Sequence, residues 1–252
     1  MNMKRYFKYS ILIAIVGSIF TSCEKMEDTY GEFVKGGEII YSGKPDSLRA
    51  LSGNKRIKLT WQLTSDPKIV KAKIFWNNRA NNIEMPINKS TGVDYLSLIV
   101  PDLNEGIYTF EVFTYDKQGN ASIRTEVIGE SFGQIYQDNI NNRALNTATW
   151  LNIPANANAS PPVVAFKGVE IQWFGVSTQA VVMEIKYVNE SNEKLTVIEV
   201  PVKNGDKPAQ FRPATRLPGY KKGTEFTYRT GYKPNIAAID TFYTAYSKVL
   251  VP

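Results

Sequence analysis

Ile57-Lys58-Leu59-Thr60-Trp61-Gln62-Leu63 alternates apolar and polar side chains with period two. Successive residues of a strand point to opposite faces. The stretch therefore reads as a half-buried strand, with Ile57, Leu59, Trp61 and Leu63 turned to a core. Outward from it the rhythm continues. Asp66-Pro67 marks a break, and Val70, Ala72, Ile74 and Trp76 then carry the next inward row. Asn77 to Asn82 read as a turn, and Ile83 to Ile87 as a short edge strand carrying Pro86. Tyr95 to Val100, the alternating Tyr108-Phe110-Val112-Thr114, and Ala121 to Ile128 after the Asp116–Asn120 turn complete the set.

A second copy follows. Val169, Ile171 and Trp173 repeat Ile57, Leu59 and Trp61, and Val181, Met183, Ile185 and Tyr187 repeat the next strand. Leu195 to Val200, Gly223 to Tyr228 and Phe242 to Val249 follow as further strands. Between the copies, Phe132, Ile135, Tyr136 and Ile140 fall at helical spacing, with Ser131 placed to cap the start. Their apolar face is expected to pack on a sandwich end. The chain thus reads as all-β: two tandem sandwiches joined by a short helix.

Both copies resemble fibronectin type III and immunoglobulin-like domains. Trp61 matches the tryptophan of that family's second strand. Leu103-Asn104-Glu105-Gly106-Ile107-Tyr108 matches its sixth-strand entry. The resemblance implies a tyrosine corner, with the Tyr108 hydroxyl bonded to backbone near Leu103. In the second copy Phe226 stands at the corner position, so that bond is expected to be missing. The divisions read as a signal segment over 1–22, a tether over 23–36, sandwiches over 37–130 and 146–252, and a linking helix over 131–145.

The amino terminus has its own order. Lys4, Arg5 and Lys8 precede the apolar run Ile11 to Phe20, and Phe20-Thr21-Ser22 lead into Cys23, the one cysteine of the chain. A basic start, a short apolar segment and a small-residue site read as a secretory signal. A cysteine at that point resembles a bacterial lipobox, which implies lipidation of Cys23 and attachment to a membrane. The alternative is an ordinary signal peptide that leaves a free thiol. Removing the three cations Lys4, Arg5 and Lys8, with no acid among the residues lost, takes the formal charge from +6 to +3. That balance, with Lys221-Lys222 an isolated pair, gives no support for nucleic-acid binding.

With lipobox, tether, Trp76-Asn77-Asn78 and the Tyr136 to Asn142-Arg143 segment together, the chain resembles a family of Bacteroidota surface lipoproteins. The resemblance implies an outer-membrane location, exposure at the cell surface through an acidic stretch (Glu24, Glu27, Asp28), and partners in glycan-uptake systems: a polysaccharide or an uptake-complex protein.

The composition narrows the chemistry. The chain contains no histidine, which removes imidazole acid/base catalysis, Ser-His-Asp triads and His-ligated zinc. Glu111 and Glu126 on neighbouring strands form a carboxylate pair of the kind glycosidases use, but on a sheet surface they read as solvated acids. Asp116 with Asn120, and Asp138 with Asn139, Asn141 and Asn142, lack the charge density calcium needs. No cofactor, metal or catalytic residue is expected. Surface contacts with glycan or partner are expected at Phe75, Trp76, Asn77, Asn78, Arg79 and Trp150, with Trp150 in a loop. Trp61 and Trp173 belong to the cores by parity. The leading expectation is a non-enzymatic surface lipoprotein that binds glycan or serves an uptake complex; the alternative is a protein–protein adhesion module.

Overall fold

The computed structural model describes residues 41–64 and 66–251. Cys23, the tether and the signal segment lie outside the described residues. The first sandwich is built from β1 (Asp46–Ser52), β2 (Ile57–Leu63), β3 (Ile69–Trp76), β4 (Asn81–Pro86), β5 (Asp94–Val100), β6 (Gly106–Asp116) and β7 (Thr125–Ser131). Three strands form one sheet in the order β1-β2-β5, and four form the other in the order β4-β3-β6-β7. The helix α1 (Gln134–Asn139) follows. The second sandwich repeats the plan with β8 (Leu145–Ile153), β9 (Phe166–Trp173), β10 (Ala180–Val188), β11 (Lys194–Glu199), β12 (Ala214–Pro218), β13 (Glu225–Tyr232), β14 (Phe242–Tyr243) and β15 (Ser247–Leu250). Its sheets are β12-β9-β8 and β11-β10-β13, with β14 and β15 both paired to β13.

The alternation in β2 is realised residue by residue: Ile57, Leu59, Trp61 and Leu63 are buried and the residues between them are not. They meet Ile74, Phe110 and Val112 of the facing sheet in one core. Each buried aliphatic side chain contributes about 1.5–3 kcal/mol by leaving water. The second core is made the same way from Val169, Ile171, Trp173, Met183 and Ile185. Gly129 lets the sheets close at one edge, since a Cβ there would lie 2.7 Å from that of Ala50.

Expectation and structure part at several points. In the third strand of the first copy the buried residue is Ile69, with Val70 half-buried. A bulge between Ile69 and Lys71 inserts one residue and resets the parity. The same bulge recurs between Ala180 and Val182, where Ala180 is buried in place of Val181. Tyr108 does donate its hydroxyl to the Asn104 carbonyl at 3.1 Å, the expected corner. In the second copy the corner is served by other tyrosines: Tyr187 donates to the Pro218 carbonyl at 2.9 Å, and Tyr220 to that of Thr224.

The link also differs from expectation. Ser131 is buried inside β7 and caps nothing. The Glu105 carboxylate takes that role from across the junction, accepting the Ile135 and Tyr136 backbone N–H groups at 2.6 and 3.2 Å. Of the expected apolar face, Tyr136 and Phe132 pack on Phe242 of the second sandwich, while Ile135 stays 68% exposed. The helix is too short to bury both sides of an apolar stripe.

Candidate functional site

The outward face of β4-β3-β6-β7 follows from register. Phe75 lies opposite Glu111, and Glu111 opposite Glu126. One step along, Thr109 faces Ile128, and Ile107 faces Glu130. All of these residues point away from the core because Ile74, Phe110 and Val112 point into it.

The turn that closes β3 and β4 supplies the rim. Asn77, Asn78 and Arg79 all have positive φ, at 52°, 52° and 65°. Asparagine tolerates this left-handed region better than most residues, and an arginine there is uncommon. The Asn77 carboxamide donates to that of Asn81 at 2.8 Å, fixing the turn from inside. The conformation swings Arg79 back over the sheet, where its Nε donates to the Glu111 carboxylate at 2.6 Å. Its guanidinium lies 5.8 Å from the Phe75 ring centroid and 5.3 Å from that of Phe113. Those two rings meet edge to face at 5.9 Å. Lys73 covers Phe75 as well, at 5.2 Å.

Phe75, Trp76, Asn77, Asn78 and Arg79 thus come together, beside Ile107, around a depression of about 440 Å³. Trp76 contributes little free surface, because it is half-buried against the core and packs 6.3 Å from Phe110. Trp150 does not join them. It lies on β8, not in a loop, opposite Val169 and packed on the second core. Lys222 lies 5.5 Å over its ring.

Glu111 and Glu126 are neighbours as expected, and both are held by guanidinium groups: Arg124 reaches Glu111 at 3.5 Å and Glu126 at 3.0 Å. Glu126 is open to solvent and Glu111 is held in ion pairs with two arginines, so the pair supplies no free acid or base in a water-excluded site. Asp116 is occupied by its own turn, accepting from the Gln118 and Asn120 backbone and from the Asn120 carboxamide at 2.7–2.9 Å. These bonds hold its carboxyl below the usual range, the Asn120 side chain most strongly. Among the described residues no cluster of three metal-ligating side chains occurs.

The second sandwich presents a parallel arrangement. Arg229 pairs with Glu184 at 2.6 Å and lies 4.1 Å from the Tyr243 centroid and 4.7 Å from that of Tyr246. Lys186 donates to the Tyr246 hydroxyl at 2.6 Å. Burial pushes the Glu184 carboxyl up, but hydrogen bonds from Lys186, Tyr246 and Arg229 outweigh it and the net shift is down.

Sequence reasoning missed the exposed isoleucines Ile107 and Ile128, at 73% and 69%, and Tyr95 at 77%. Outward parity on their strands was the available signal. Nothing in the sequence, however, set the cross-strand register that makes Ile107 and Ile128 diagonal neighbours.

A family profile described as DUF4998, a domain of unknown function, matches residues 23–242. The chain belongs to the DUF4998 family. No protein of curated function matches it at a significant level. Solved structures similar to it include the FN1–FN3 domains of chicken CNTN1, at 12% identity over 84% of this chain and 68% of that one, with a TM-score of 0.40. A two-domain fibronectin type III segment from chicken tenascin is similar at 13% identity over 82% and 97%, TM-score 0.28. The chicken interferon gamma receptor alpha chain is similar at 13% over 82% and 98%, TM-score 0.28. The assignment of this DUF4998 chain to two fibronectin type III-like sandwiches rests on its own strand order and register.

Proposed function

We propose that the chain is a non-catalytic, lipid-anchored binding module that docks on a protein partner at the cell surface, as an accessory of an outer-membrane polysaccharide-uptake complex. The observation that carries the docking reading is the face around Arg79. Sugar stacking needs a free aromatic face, and here Arg79 and Lys73 cover Phe75 while Arg79 covers Phe113. What remains is an immobilised arginine beside exposed Ile107 and Ile128, with ion pairs at the rim. An apolar centre with arginine and a charged rim is the anatomy of a protein interface. Side chains already held in place lose little entropy on binding.

Anchoring at Cys23 is supported by the residue order before it and by a family match that begins at Cys23. The test uses the full chain expressed in its native envelope. Cross-linking should capture an envelope protein, and Ile128→Asp or Arg79→Ala should abolish capture with the melting temperature unchanged. Cys23→Ser should release the protein from membranes. Unchanged capture in both surface variants, or sugar binding at this face lost in Phe75→Ala, would overturn the docking reading.

A further inference from the structure

The outward face of the other sheet of the first sandwich is built differently. In β1-β2-β5, Gln62 lies opposite Tyr95, and Thr60 lies between Arg49 and Ser97. These side chains, with Ser47, line a depression of about 430 Å³. Tyr95 is 77% exposed. On the four-stranded face the cations are pinned to carboxylates or ring faces. Here, among the described residues, Arg49, Thr60, Gln62, Tyr95 and Ser97 have no side-chain hydrogen-bond, ion-pair or ring partner.

We infer that this face is a binding site for a neutral saccharide, separate from the protein-docking patch and independent of it. A pyranose offers a C–H face and a rim of hydroxyls. Tyr95 supplies a free ring for the first, at low entropic cost because it has few rotors. Gln62 and Arg49 supply amide and guanidinium groups that both reach paired hydroxyls, and Thr60 and Ser97 add hydroxyls. Cross-strand neighbours sit about 5 Å apart, the scale of one sugar ring. Arg49 is the one charge in the lining, too little to select a polyanion. Two apolar residues, Trp61 and Leu96, also line the depression, but Trp61 is buried and Leu96 half-buried in the core beneath, so a peptide would find little apolar surface to bury.

The test is native affinity electrophoresis of the fragment from residue 24 in gels containing mixed-linkage β-glucan, xyloglucan, galactomannan, dextran or alginate. Retardation in at least one neutral gel is expected. Tyr95→Ala should weaken it by at least about tenfold, Gln62→Ala should weaken it measurably, and Tyr95→Phe should largely preserve it, with all melting temperatures alike. Ile128→Asp should leave it unchanged, which separates this site from the docking patch. No retardation in any neutral gel, retardation by alginate alone, or retardation indifferent to Tyr95→Ala would each overturn the proposal.

Discussion

At the scale of single residues, Asn142 does more than its place between domains suggests. The last strand of the second sandwich, expected to run unbroken from Phe242 to Val249, is split into β14 and β15. The Asn142 carboxamide fills the gap. Its Nδ2 donates to the Ala245 carbonyl and the Ser247 hydroxyl, both at 2.8 Å, and its Oδ1 accepts the Thr230 N–H at 2.8 Å and the Thr244 hydroxyl at 2.5 Å. A side chain thus supplies strand pairing. Asn142→Ala should cost about 1–2 kcal/mol, because the buried Thr230 N–H loses one of its two acceptors and the Ala245 carbonyl and two hydroxyls lose a partner. Asn142→Asp should not restore stability, since a carboxylate cannot donate to the Ala245 carbonyl. Urea denaturation midpoints check both. Next to it, Arg143 is 4% exposed. It donates to the Phe174 and Arg212 carbonyls at 2.8 and 3.1 Å and lies between the rings of Trp173 and Phe211.

At the scale of elements, these contacts make residues 141–143 part of the second sandwich. Tyr228 donates to the Arg143 carbonyl at 3.1 Å, and Tyr232 to that of Asn141 at 2.7 Å. A fragment of residues 146–252 should therefore fail to melt cooperatively, whereas one of residues 140–252 should do so. Calorimetry of the two distinguishes them, and equal melting would contradict the reading. The Asn142-Arg143 pair was visible in the sequence as a motif, yet its work was not. Asparagines in a polar stretch look the same whether they face water or complete a ladder. The bulges at Val70 and Val181 were hidden for a similar reason, because Ile69 and Val70, like Ala180 and Val181, are adjacent apolar residues and either member of each pair satisfies the pattern.

At the scale of the whole molecule, the two sandwiches are held by named contacts. Arg56 makes a paired contact with Asp240 at 2.5 and 2.9 Å, and Asp240 also accepts the Asn54 N–H at 2.8 Å. The Ile239 N–H donates to the Ser52 carbonyl at 2.8 Å, and Gln137 to that of Tyr243 at 2.9 Å. The Arg56 guanidinium holds the Asp240 carboxyl below the usual carboxylate range. A depressed value in the folded state means stability that is present above the ordinary value of about 3.9 and lost as pH falls through the folded one. Asp240→Asn should cost on the order of 1 kcal/mol near neutral pH, because Arg56 is 43% exposed and solvent screens the pair. The difference from the unaltered protein should shrink as pH falls below about 4, followed by urea midpoints across pH. A difference that grows in acid would refute the assignment.

The sequence by itself determined the fold class, the repeat and the two cores, and its resemblance to fibronectin type III domains implied the tyrosine corner at Tyr108. Side-chain alternation is local and depends only on strand geometry, so period two in β2 and β9 is readable without knowing any neighbour. It also brought the stretch from Phe75 to Arg79 to notice, and Trp150 with it, but set Trp150 in a loop because its strand could not be told from one. Only the tertiary structure decided which aromatic faces are free. Whether Phe75 is covered depends on the left-handed turn that returns Arg79 across the sheet, and whether Tyr95 is open depends on the polar neighbours that pairing sets beside it. Those contacts join residues far apart in the chain, and register, bulges and turn conformation fix them, none of which is written in the alternation itself.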